Sequence, residues 1–307
     1  MTGKGGTGKT TVAGALALGL ARQAKRVLLI EVEGRQGLAQ LFDAPPLPPT
    51  ETRLAAAGRG EVVGLAVEAE TAMLEYLEMF YSIKRAGSVL RKMGAIDFAT
   101  TIAPGLRDVL LTGKVKESVT RADRSGRPAF DAVVLDAPPT GRITQFLQVT
   151  YEAAQLAKFG PIHRQSEGVI ELLHSHLTRV HIVTLLEEMP VQETLDAVAE
   201  LRAAGYRLGR VLVNRARPAL MPALPAGPPE PHLLAEGLAA AELDPALAPA
   251  LALEVSDYAE RQELQERAEA SLAEAGLPIT RLPELPPPLD LGSLFELADA
   301  LDVEALS

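Results

Sequence analysis

The amino terminus leaves this chain few folds to choose from. It reads Met1-Thr2-Gly3-Lys4-Gly5-Gly6-Thr7-Gly8-Lys9-Thr10-Thr11. The spacing Gly3-x4-Gly8-Lys9-Thr10 fits the phosphate-loop pattern G-x-x-x-x-G-K-[ST], with an additional lysine at position 4. In such a loop Gly5, Gly6, Thr7 and Gly8 turn backbone N–H groups toward phosphate. Lys9 then reaches the β/γ oxygens, and the Thr10 hydroxyl binds Mg²⁺. A helix must follow so that its N-terminal dipole faces the anion; Thr10–Ala24, beginning with Thr10 and Thr11, is alanine-rich and free of proline.

A phosphate loop normally leaves the end of a buried strand, and only Met1 and Thr2 precede Gly3. The first strand is therefore expected to be missing. Either the sheet lacks a central strand or the start has been assigned too late. Related loops often read V-T-G-K-G-G, and a GTG codon for valine can be taken for an initiator, so the late start is the reading adopted. A chain cut at that point is expected to support its phosphate loop poorly.

With 307 residues, 47% of them hydrophobic, the chain can bury a substantial core. No segment approaches 18 uninterrupted apolar residues, and no basic region leads an apolar one at the N-terminus. Neither a membrane span nor a signal peptide is expected, and the cytoplasm is the default compartment. The absence of cysteine removes disulfides and thiolate metal sites. A formal net charge of −10 argues against a nucleic-acid surface.

Arg26–Val32, Ala132–Leu135, Val180–Leu185 and Gly209–Val213 are short β-branched runs, most followed by loop or helix signals. That pattern predicts an α/β fold with a mostly parallel sheet covered by helices on both faces. Residues 43–126 differ: they open with Pro45-Pro46-Leu47-Pro48-Pro49 and carry helical stretches such as Ala72–Ile83. They read as a helical insertion into a core made of residues 1–42 and 127–307. Ala216–Pro231 reads as a proline-rich surface loop. Ser256–Ala275 and Ser293–Leu301 read as amphipathic closing helices.

Asp136-Ala137-Pro138-Pro139-Thr140-Gly141-Arg142 follows the apolar run at 132–135. An acid directly after an apolar strand in a phosphate-loop protein is the expected partner of Mg²⁺, usually through water, which gives Asp136 that role. The Pro-Pro-Thr-Gly run suits a stiff loop that senses a γ-phosphate. Met73, Leu77, Met79, Phe80, Met93 and Phe98 can line an adaptable apolar groove, or simply fill a helical core. His174 and His176, two apart, point to different helix faces and make a poor metal pair. Glu260–Glu274 reads as a solvated face.

The deviant loop Lys4–Thr10 together with Asp136–Gly141 resembles the family of arsenite-pump and tail-anchored-protein-targeting ATPases, and most closely its bacterial anion-transporting branch. Further matches are Glu31–Leu41, Pro104–Leu106 with Leu111–Lys114, Val183–Thr194 and Val213–Arg215. The resemblance implies an ATP- and Mg²⁺-dependent nucleotide-sandwich dimer, with itself or with a paralogue. In it Lys4 acts on the partner's nucleotide, Asn214 recognises adenine, and a helical subdomain receives a hydrophobic client. The family's first switch reads D-x-D-P-A-H; here Glu33 stands where the second Asp positions water, one methylene longer, and slow hydrolysis follows unless the loop compensates. Arg142 replaces the family's histidine, reaching phosphate or a partner carboxylate, or lying exposed. Without cysteine, neither a thiolate metalloid site nor a zinc clamp can form. Three functional classes remain: a client-gating ATPase, a nucleotide-sensing regulatory subunit with weak turnover, and a partition-type spatial regulator, the last disfavoured by the acidic tail Leu291–Ser307.

Overall fold

The computed structural model describes residues 1–32, 34, 36–68, 71–72, 105–156, 161–218 and 229–303. Among them the strands are β1 (Thr2–Gly3), β2 (Arg26–Glu31), β3 (Thr52–Ala57), β4 (Gly60–Ala66), β5 (Ala132–Asp136), β6 (Val180–Thr184), β7 (Leu208–Ala216) and β8 (Ile279–Pro283). The helices are α1 (Lys9–Arg22), α2 (Gly37–Leu41), α3 (Leu106–Thr120), α4 (Thr140–Leu156), α5 (Pro161–His174), α6 (Glu188–Ala203), α7 (Pro231–Ala240), α8 (Ala248–Ala273) and α9 (Leu291–Ala300).

Two four-stranded sheets, ordered β3-β4-β2-β5 and β1-β6-β7-β8, meet at Met1. Its N-terminal ammonium donates to the Leu135 carbonyl at 2.8 Å, and its carbonyl accepts from the Ala137 N–H at 2.9 Å. Across this seam the order reads β3-β4-β2-β5-β1-β6-β7-β8, parallel throughout except for the antiparallel edge pair β3–β4. The first strand, expected to be missing, is thus represented by Thr2–Gly3, which pairs with Ile182–Val183 of β6. Both neighbouring strands supply hydrogen-bond partners to this segment, and Thr2 is wholly buried between them.

The strands are apolar in continuous runs because both faces are covered. Along β2, Val27 and Leu29 pack with α1 and α9 residues Ala17, Leu294 and Leu297, whereas Leu28 and Ile30 face Leu111, Ile143 and Phe146 of α3 and α4. The alternation is the period-two geometry of a strand, with both sides inside. Helix α1 is buried continuously from Val12 to Ala21, held between sheet and α9.

Residues 43–126, expected as a helical insertion, include strands of the sheet. Residues 52–66, assigned to the insertion, form the β3–β4 hairpin, and β4 lies in full register beside β2 from Arg26↔Glu61 to Glu31↔Ala66. The alanines of β3 carry weak β propensity, and the pairing is decided by the apolar run Val62–Val67 on its neighbour. Gly60 permits it, because a β-carbon there would strike the carbonyls of Ala21 and Lys25. Ala72 begins inside the described residues; most of the expected helix 72–83, and the proposed groove residues Met73 to Phe98, lie outside them. Strand β8 and helix α7 have no counterpart in the sequence reading.

Leu18 of α1 has no solvent exposure. Leu18→Ala should lower the unfolding free energy by ~2–5 kcal/mol through lost transfer energy and the cavity left behind. Urea denaturation checks this as a lower midpoint with an unchanged slope.

Candidate functional site: a phosphate loop facing two strand-end carboxylates

The candidate site lies at the C-terminal ends of β1, β2, β5, β6 and β7, where open parallel sheets bind ligands. Gly8 opens α1 with φ 85°, a left-handed value that favours glycine. A β-carbon there would also run into the Asn214 amide. No side chain caps α1, so its first-turn N–H groups face the loop as an anion site. Around Gly5 and Gly6 a β-carbon would meet nothing within 4 Å, which leaves that backbone open to a ligand. The loop closes on itself: the Thr7 N–H and hydroxyl both donate to the Lys4 carbonyl, at 3.3 and 2.9 Å, and Lys9 Nζ comes to 3.5 Å of the same oxygen.

Across the loop, the Thr10 hydroxyl donates to Asp136 Oδ2 at 2.6 Å. Asp136 is 7% exposed, and its Oδ1 is buried with no hydrogen-bond partner. Burial pushes its carboxyl above the ordinary aspartate range, against the Thr10 hydrogen bond and the nearby cationic groups. An orphaned carboxylate oxygen beside a threonine hydroxyl is a hard-oxygen donor set, and it fits Mg²⁺. Thr2 anchors the loop that follows, its hydroxyl donating to the Pro138 carbonyl at 2.7 Å.

Two carboxylates that sequence reasoning missed complete the surroundings. Glu31 pairs in register with Asp136 across β2 and β5, and it is 3% exposed. Its carboxylate accepts from the N–H groups of Gly37 at 3.2 Å and Leu38 at 3.1 Å, tying the end of β2 to the start of α2. Glu33, the candidate water-positioning residue, lies outside the described residues. Glu193 of α6 takes Lys4 Nζ at 2.6 Å and the Thr140 hydroxyl at 3.0 Å. It stands within the Val183–Thr194 run, but only the fold brings it against a lysine 189 positions away.

Asn214 sits on a bulge of β7, where the register to β8 shifts between Val213 and Ala216 and Arg215 adopts φ 52°. Bulges of this kind re-aim side chains. The Asn214 amide is buried and donates to the Thr7 carbonyl at 2.9 Å. Beside it opens a cavity of about 800 Å³, lined by Leu186, Val191, Arg215, Arg217 and residues of α8. Arg142 meets a carboxylate of its own chain: Asp108 of α3 lies 3.6 Å away, with its carboxyl pushed up by burial and pulled down by Arg142.

Comparison with known proteins agrees with this geometry. The family described as anion-transporting ATPase matches residues 1–176. The ATPase BagA of Mycobacterium tuberculosis is 51% identical over 98% of this chain and 91% of its own length. The chain belongs to the anion-transporting ATPase family. More distant members include the arsenical pump-driving ATPase of Escherichia coli, 26% identical over 71% of this chain and 39% of its own length. The ATPase get3 of Schizosaccharomyces japonicus is 28% identical over 55% and 51% respectively. In this member of the family, no helix among the described residues is long and apolar enough to cross a membrane.

The pH dependence of stability follows from Asp136. Its folded-state pKa is raised, so its contribution to stability is full below its ordinary value near 3.8 and is lost as pH rises through the raised one. Asp136→Asn should therefore unfold at a higher temperature than the wild type at neutral pH without Mg²⁺ and nucleotide. Thermal melts from pH 3 to pH 8 check that the advantage disappears at the acid end.

Proposed function

We propose that the chain is a dimeric, cytoplasmic ATPase in which ATP-driven closure controls the binding of a hydrophobic protein segment. The carrying observation is the Thr10–Asp136 contact, with an orphaned carboxylate oxygen beneath a glycine-rich loop. On this reading Gly3, Gly5, Gly6, Thr7 and Gly8 present backbone to the phosphates, and Thr11 continues the N-terminal turn of α1. Lys9 holds the β/γ oxygens, Thr10 and Asp136 hold Mg²⁺, and Asn214 meets adenine. Mg²⁺ supplies positive charge that offsets what develops on the transferred phosphoryl group. Glu33 positions the water, and Lys4 stabilises transition-state charge on the nucleotide of a partner, which is a second copy or a paralogue. Phosphoryl transfer of this kind requires positioning and charge rather than covalent help, which is what a loop of glycines and two lysines offers.

The client is read as an apolar protein segment rather than a metalloid, since a chain with no cysteine has no thiolate to offer one. A second reading, a nucleotide-sensing subunit with weak turnover, is favoured by one observation: glutamate at position 33 adds a methylene where the family carries aspartate. Steady-state ATP hydrolysis with light scattering for mass, on the chain alone and mixed with a paralogue, separates the two. Turnover with an ATP-dependent dimer supports the client-gating ATPase. Tight ATP binding without turnover in either preparation supports the regulatory subunit.

Lys9→Ala should weaken ATP binding by about 10- to 100-fold, the loss of charge-assisted hydrogen bonds, as read by calorimetry. Lys4→Ala should keep ATP binding and lose about 10³-fold in dimer-dependent rate, the scale of a charge supplied in trans. An unchanged Lys4→Ala turnover would remove the cross-subunit role.

A further inference from the structure

The phosphate-loop pattern requires Lys9 but not Lys4, and the fold gives Lys4 a partner of its own. Lys4 Nζ lies 2.6 Å from Glu193 Oε1, and the other oxygen of Glu193 accepts from the Thr140 hydroxyl at 3.0 Å. One carboxylate thus joins three elements: the phosphate loop, the N-terminus of α4 directly after the Asp136 loop, and α6. The Lys4 ammonium, then the Thr140 hydroxyl, hold the Glu193 carboxyl below the ordinary glutamate range. The Lys4 and Glu193 side chains keep 29% and 34% of their exposure, so water competes for the pair and the contact can be broken.

We propose that Glu193 is a clasp within the subunit: it parks Lys4 against its own chain in the unclosed state and couples the lysine's release to movement of Thr140. The proposal rests on the reading of Lys4 as a group that acts on a partner's nucleotide. A lysine held 2.6 Å from its own carboxylate cannot at the same time reach across an interface. Closure must exchange Glu193 for phosphate oxygens, and the parked state lowers the apparent affinity of the dimer in proportion to its population. Thr140 shares the same carboxylate, so displacement of the loop between Asp136 and Thr140 loosens the grip from the other side. Glu193 is a positioning residue, acting through Lys4 and touching no substrate.

The test has two readouts on the full chain. The first is the rate at which an amine-acylating reagent modifies Lys4, followed by mass spectrometry with Lys25 as internal reference. Glu193→Gln should raise that rate several-fold, and Thr140→Val should raise it by a smaller factor. The second is ATP turnover against protein concentration: Glu193→Gln should lower the concentration of half-maximal rate several-fold, and add nothing in a Lys4→Ala background. Unchanged Lys4 acylation in a Glu193→Gln protein with a native circular dichroism spectrum overturns the clasp. Faster acylation with an unmoved concentration dependence also overturns it, because the contact would then gate nothing. A wild type without turnover at any concentration defeats the ATPase reading instead. The clasp is then judged by light scattering with ATP: a dimer that forms at lower concentration in Glu193→Gln upholds it, and an unmoved dimer overturns it.

Discussion

Strand β1 is only Thr2–Gly3, yet every chemical group at the site takes its position from where that short piece lies. It pairs with β6, and Met1 continues the ladder to β5, so the phosphate loop emerges between the two strands whose ends carry the other half of the site. Parallel strands in register end at a common level. Glu31 and Asp136 are register partners across β2 and β5, and Thr10, the second residue of α1, comes down onto Asp136 at 2.6 Å. Had β5 slipped by one residue against β2, the two carboxylates would point to opposite faces, and the seam at Met1 fixes β5 in turn against β1. Thr2 reinforces it from within, its buried hydroxyl donating to the Pro138 carbonyl.

The electrostatics follow from that packing. Asp136 is buried and keeps one unpartnered oxygen, a costly arrangement for a carboxylate. Glu31 is buried nearby but has its charge met by two backbone N–H groups. Glu193, farther out, is met by a lysine and a hydroxyl while retaining access to solvent. The three carboxylates therefore divide by environment: one keeps an unpartnered oxygen, one braces a loop and one holds a lysine at the edge of solvent. The Arg142–Asp108 pair extends the arrangement to α3, so the segment after Asp136 is tied on one side to α6 and on the other to the helix that ends the 43–126 region.

Much of the core was legible because local pattern and tertiary role coincide there. Arg26–Val32 and Ala132–Leu135 carry short β-branched, apolar runs and are central, and both are strands of the parallel sheet. The β3–β4 hairpin was not legible. Half of its first strand is alanine, and proline in the lead-in masked the switch from loop to edge. The long α8 shows the converse: Ser256–Ala275 was read as a helix, but its start at Ala248 was hidden by Pro249, which is well tolerated in a helix's first turn.

The loop pattern, Gly3 to Thr10, and the acid at the end of an apolar run are legible without the fold, because each is a matter of local spacing. The order of the strands, the seat of Asn214 on a β7 bulge against Thr7, and the meeting of Lys4 with Glu193 were decided only when the chain closed. The reason is distance along the backbone. A motif within eight residues is set by local geometry, whereas a contact between residues 189 positions apart depends on how two half-sheets come together at a single short strand.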